Sequence, residues 1–230
     1  MQAFFIAAVV IIIVSILIYG AFFNRAAVVK RKLRNTADKM MATCQNGDVV
    51  KLYGKIKYTG APLISPLSGR KCVYYYILVE ELRSGGKSSS WHTIIEEEAG
   101  ADVVITDGKD YAFIETGMVK SHLIEDRNYT SGLWEDATEQ MNNYLANHDS
   151  QSTSWLGFNK KMRFKEGILE EGENVAVAGK VHWKRKAETK LNVPVERILI
   201  VSRTDENEPV YISDDPEVAE VEQHDNINQL

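Results

Sequence analysis

The sequence predicts an α+β fold, mainly β: a single N-terminal transmembrane helix, then an antiparallel curled or barrel-like sheet with one inserted amphipathic helix. Three observations lead there. An uncharged apolar run fills residues 3–23. Period-2 alternation, punctuated by turn residues, recurs from Val49 to Asp215. One stretch near residue 140 switches to helical spacing.

The apolar run is interrupted only by Ser15 and Gly20. At about 1.5 Å per residue, roughly 20 residues cross the ~30 Å hydrocarbon core. Lipid offers no partner to backbone N–H and C=O groups, so such a segment is expected to be helical. Met1 and Gln2 form no basic leader and "YGAFFN" is no small-x-small cleavage site, which argues against a cleaved signal peptide. Arg25, Lys30, Arg31, Lys32, Arg34 and Lys39 follow the run. Basic flanks stay cytoplasmic, so the expected topology is single-pass, N-out and C-in, with the domain in the cytoplasm. The lipid bilayer is thus one expected partner. The membrane-proximal Arg25, Lys30, Arg31, Lys32 and Arg34 would also attract anionic headgroups.

The chain divides into an anchor at 1–24, a basic juxtamembrane helix or linker at 25–46, a β-rich domain at 47–215 and an acidic, disordered tail at 216–230. Ala26, Val29, Leu33, Ala37 and Met41 approach helical spacing in the second of these. The net charge is −5, and no Lys or Arg follows Arg203. That balance excludes nucleic acid as the expected partner.

Within the domain, "DVVKLYGKIKY" alternates as a half-buried strand. "TGAPLISPLSG" has the residues of a long turn. From Cys72 to Leu82 both faces are apolar or aromatic, which predicts a central strand covered on two sides. "RSGGKSSS" reads as a hairpin loop, Trp91 opens the partner strand, and Asp107-Gly108 turns a second hairpin. A helical insertion is expected at about 130–154, capped by Ser131. Its stripe is Leu133, Trp134, Ala137, Met141, Tyr144 and Leu145. Such a stripe either covers the sheet or offers itself to a protein partner, so these six are the candidate partner-binding residues. Strands resume at Met162, with a turn at Glu171-Gly172.

No catalytic, cofactor or metal site is predicted. Cys44 and Cys72 cannot build a Cys-rich zinc site. Cys72 lies in an apolar strand, as a small hydrophobe does. Tyr74, Tyr75 and Tyr76 read as core aromatics, since no basic residue is interleaved among them for a stacking platform. Glu96, Glu97 and Glu98 alternate between two faces, which reads as a solvated hairpin end. The histidines are dispersed, and no glycine-rich loop joins a strand to a helix.

"GKIKYTGAPLISPLSGRKCVYYYILVEE", Trp91, "FKEGILEEGENVAVAGKV" and "EPVYISDDPEV" together resemble the GIDE domain. That is the β-rich module of membrane-anchored, RING-type E3 ubiquitin ligases of the mitochondrial outer membrane, with bacterial and archaeal relatives. The resemblance spans about Val49 to Asp215 and makes Pro66, Gly69, Cys72, Tyr74, Tyr75, Trp91, Glu171, Gly172 and Gly179 structural motif residues. The ligases end in a zinc-binding RING. Here no cysteine follows Gly179, and only His182 and His224 remain. The resemblance therefore implies a membrane-anchored, non-enzymatic protein-binding module. Its alternatives are a ligase-like adaptor acting in trans, and a hydrolase without a recognisable motif.

Overall fold

The computed structural model describes residues 24–86, 88–131, 137–152 and 160–220. Helix α1 (Arg25–Asn35) comes first, capped by Asn24, whose Oδ1 accepts from the Ala27 N–H at 2.7 Å. Then come β1 (Val49–Lys57), the short β2 (Leu63–Ile64) and β3 (Lys71–Cys72), and the long hairpin of β4 (Tyr74–Gly85) and β5 (Ser88–Gly100). They are followed by β6 (Val103–Thr106), β7 (Tyr111–Ile114), β8 (Val119–His122) and β9 (Arg127–Ser131). Helix α2 (Glu139–Asn147) precedes β10 (Met162–Leu169), β11 (Asn174–Arg185), β12 (Arg197–Ser202), β13 (Val210–Ser213) and the four-residue α3 (Pro216–Ala219).

Five strands close a barrel. β1 pairs with β6, β6 with β7, β7 with β12, β12 with β11, and β11 returns to β1. Only the β7–β12 contact of this ring is parallel. Counted within the barrel alone, the ring runs first, second, third, fifth, fourth and back to first, a Greek-key barrel of the OB type. β13 lengthens the edge of β11, and β8 joins β13 in parallel. The second sheet is antiparallel, in the order β5-β4-β10-β9.

Alternation along β11 explains what sits on each side of the wall. Val175, Val177 and Val181 point inward to Leu52, Ile56, Ile105 and Leu199. Ala176 and Ala178 point outward, where their small side chains let α1 approach with Val29 and Leu33. Tyr74 and Leu169, paired at one end of the second sheet, join the same barrel core together with Val73 just before β4. The outer face of β6 and β12 is covered by the chain itself, with Leu191 and Val193 over Val104, Ile198 and Ile200.

Several expectations need correction. Among the described residues no helix is long and apolar enough to cross a membrane. The expected transmembrane helix lies, apart from Asn24, outside the described residues. The sheet is not a single antiparallel one. It is a closed mixed barrel plus a separate four-stranded sheet, because β12 and β13 meet β7 and β8 in parallel. The inserted helix is shorter than 130–154. Ser131 does not cap it but ends β9 opposite Met162, and Thr138 is the cap, accepting from the Met141 N–H at 3.3 Å. Pro216–Ala219 forms α3, with Val218 and Ala219 buried, so the disordered tail does not begin at 216.

Candidate functional site

The β4–β5 hairpin places a tyrosine triplet against a glutamate triplet. In register, Tyr74 faces Gly100, Tyr75 faces Ala99 and Tyr76 faces Glu98. Each hydroxyl leans along the diagonal instead. Tyr74 donates to Glu98 at 2.7 Å, Tyr75 to Glu97 at 2.6 Å and Tyr76 to Glu96 at 3.0 Å. Diagonal neighbours on one sheet face are within reach of long side chains. Burial first, and the facing carboxylates second, push all three phenols well above their ordinary range, so they stay protonated donors. Alternation sends Glu96 and Glu98 to the α1 side and Glu97 to the α2 side.

On the first side Arg25 closes the arrangement. Its Nε donates to the Ser121 carbonyl at 2.7 Å, and its other nitrogens reach Glu98, Glu96 and the Ser121 hydroxyl. Its guanidinium also lies 4.4 Å from the Tyr76 ring centroid. Burial opposes the charge of Arg25, but the Glu98 hydrogen bond and charge outweigh it and raise its pKa. The helix is fastened along its length. Lys30 meets Asp215 at 2.5 Å and Glu217 at 3.2 Å, Lys32 meets Glu208, and Arg34 meets Glu217 at 2.7 Å. The charge of Arg31 is felt at the Tyr211 phenol. Asp215 also lies 3.3 Å from His122 Nε2, whose pKa burial lowers despite that carboxylate.

On the second side Glu97 accepts from the Tyr75 hydroxyl and from the Tyr144 hydroxyl at 2.6 Å, and His148 Nε2 lies 3.0 Å from it. Burial works to raise the Glu97 pKa, but these partners hold it below the usual carboxylate range. A third knot lies beside it. The buried Glu166 accepts from the Ser65 hydroxyl and from the backbone N–H groups of Leu67 and Ser68 at 3.1 and 3.2 Å. Gln140 of α2 donates to the Pro66 carbonyl at 2.9 Å. Arg70, next along, pairs with Asp126 at 2.9 Å and with Glu170.

The residues singled out by sequence are thus redistributed. Arg25, Lys30, Lys32 and Arg34 each end on a carboxylate of their own domain rather than standing free for lipid. Met141, Tyr144 and Leu145 are buried against Ile77, Val79 and Phe164, with Ala137 packed at the margin, so this stripe covers the second sheet. Leu133 and Trp134 lie outside the described residues. Pro66 and Gly69 (φ +69°) shape the turn around Glu166. Cys72 is fully buried, and burial with nearby Glu166 pushes its thiol up to about 12, far from a nucleophile. Trp91 carries the Arg163 guanidinium 4.4 Å from its ring centroid. Glu171 lies in the turn with Gly172 (φ +90°), 3.7 Å from Lys57. A Cβ on Gly179 would stand 2.7 Å from the Ser202 carbonyl oxygen.

Sequence reasoning took Glu96, Glu97 and Glu98 for a solvated hairpin end, whereas they accept from Tyr76, Tyr75 and Tyr74, and it missed Glu166, Asp215 and Ser121 as site residues. For the glutamate triplet a signal existed. A hairpin turning at Gly85-Gly86 brings residues near 97 opposite Tyr75, so the two triplets had to meet. Glu166 was visible as the lone acid on the strand face that carries Met162, Phe164 and Ile168. Chemically, these knots clamp helices to sheets. Among the described residues, no group of three or more His, Cys, Asp or Glu is placed to hold a metal ion. The chain matches no family model, no curated protein and no solved structure.

Proposed function

We propose that the protein is a membrane-tethered, non-enzymatic module that binds another protein beside the bilayer, and that its domain is of the GIDE type. The uncharged run at residues 3–23 supports the tether, and the basic residues after it support an N-out, C-in arrangement. One observation carries the reading furthest. Arg25, two residues after that run, is already locked to Glu96, Glu98 and Ser121. No slack linker intervenes, so the tether would hold the domain directly against the surface it enters.

The test uses the full-length protein in its own cells. After an alkaline carbonate wash the chain is expected to remain in the membrane pellet. An impermeant thiol reagent applied outside is expected to leave an Ala27→Cys probe unlabelled; Cys44 and Cys72 are buried and give little background. Release into the supernatant would end the tether reading, and labelling from outside would reverse the topology.

A further inference from the structure

The end of the barrel formed by β11, the loop after it and β12 is basic, although the chain as a whole carries a net charge of −5. Lys184, Arg185, Lys186, Lys190 and Arg197 lie within it, against Glu188 and Glu196. Lys184, Lys186 and Lys190 make no ion pair with a described residue. Arg185 stands directly opposite Arg197 in the β11–β12 register. Like charges facing each other across strands are unfavourable. Among the described residues Arg185 pairs only with Glu188 at 2.7 Å, a pair in which Arg185 is 83% exposed and the interaction correspondingly weak. Two further features hold this unfavourable geometry in place. Arg197 lies 4.2 Å from the Trp183 ring centroid, and Trp183 Nε1 donates to the Cys44 carbonyl at 3.0 Å. The fold therefore spends structure on presenting cations that repel one another.

We propose that this barrel end is the docking surface for an acidic segment of a partner protein. Nucleic acid suits it less well. Arg197 already occupies the Trp183 ring, which leaves no open platform for a base. The outer barrel face of β6 and β12 is sealed by Leu191 and Val193. A long polyanion would also meet the net charge of −5, which a short acidic segment at one end avoids. Anionic lipid suits it less well too, a point that rests on the tether proposed above. Asn35 and Thr36, at the far end of α1 from Arg25, border Gly179. From Ala178 to Arg185, β11 runs on for roughly 23 Å at ~3.3 Å per residue, away from the point where the tether joins.

The experiment uses the full-length protein in non-ionic detergent and a fluorescein-labelled oligo-glutamate peptide, read by anisotropy. Binding is expected, falling steeply with added salt. Lys186→Gln with Lys190→Gln, both away from Trp183, is expected to weaken it about tenfold, and adding Arg197→Gln to weaken it further. Circular dichroism checks that each variant is folded. Affinity unchanged in the double variant would overturn the proposal, as would absence of binding at low salt. Tighter binding of a single-stranded oligonucleotide of matched charge, or of soluble glycerophosphoserine as the lipid headgroup alone, would overturn it in favour of those anions. Because detergent replaces the bilayer, the result does not depend on whether the tether reading holds.

Discussion

The guanidinium of Arg25 lies over the ring of Tyr76, 4.4 Å from its centroid, and the same side chain bonds Glu98 beside it. One residue thus joins a helix to both strands of a hairpin. Arg25→Ala is expected to lower stability by about 2–3 kcal/mol, the range for hydrogen bonds to charged groups with a partner left behind. Arg25→Lys, which keeps the charge but loses the fork, should recover part of it. Urea denaturation checks both. An unchanged midpoint for the alanine variant would show that α1 is held by its other contacts alone.

Tyr74 is 2% exposed and sits in the barrel core. Tyr74→Ala is expected to cost about 3–5 kcal/mol through the cavity it opens. Tyr74→Phe removes only the bond to Glu98, which keeps Arg25 and Ser121 as partners, and is expected to cost about 1 kcal/mol. Thermal melts that rank the two the other way round would refute the placement.

Leu145 of α2 is fully buried against the second sheet. Leu145→Ala is expected to cost about 3 kcal/mol if α2 is a fixed cover. A loss near zero would mean that the helix lifts readily and its stripe is free for a partner.

Asp214 supplies a pH signature. Burial, aided by the nearby charges of Glu173 and Asp126, pushes its carboxyl up to about 7, although it accepts from the Ile124 N–H at 2.8 Å. A raised acid pKa means the folded chain binds the proton more tightly than the unfolded chain. Its contribution is therefore whole in acid and is lost as pH rises from about 4 to about 7. Asp214→Asn keeps the acceptor and removes the proton. The variant should match the wild type near pH 4 and exceed it in stability at pH 8, in chemical denaturation at each pH. A wild-type-minus-variant difference that stays flat across that range would refute the assignment.

How much of this was legible in the sequence depends on the distance between partners. Val175, Val177 and Val181, which follow the expected turn at Glu171-Gly172, alternate as a strand does, and the structure puts them in the barrel. The parallel contact of Leu199 with Ala112 was not legible, because hydrophobic period says nothing about which distant strand lies alongside. Met141, Tyr144 and Leu145 marked a helix correctly, but its start was misplaced because Thr138 rather than Ser131 supplies the cap. The basic run after residue 24 read as a lipid contact, since its carboxylate partners at 208, 215 and 217 lie at the other end of the chain.

That last separation sets an order of events during synthesis. Lys32 and Glu208 are 176 residues apart, and Arg34 and Glu217 are 183 apart. A ribosome adds ~5–20 residues per second, so α1 leaves the tunnel on the order of 10 s before the acids that hold Lys32 and Arg34 exist, although those of Arg25 follow sooner. The barrel waits as well, because β1 closes on β11. Through that interval the cationic face of α1 is uncovered, and any anion nearby competes for it first. Docking of α1 is therefore a late step, and a chain truncated before Glu208 would keep that face permanently open.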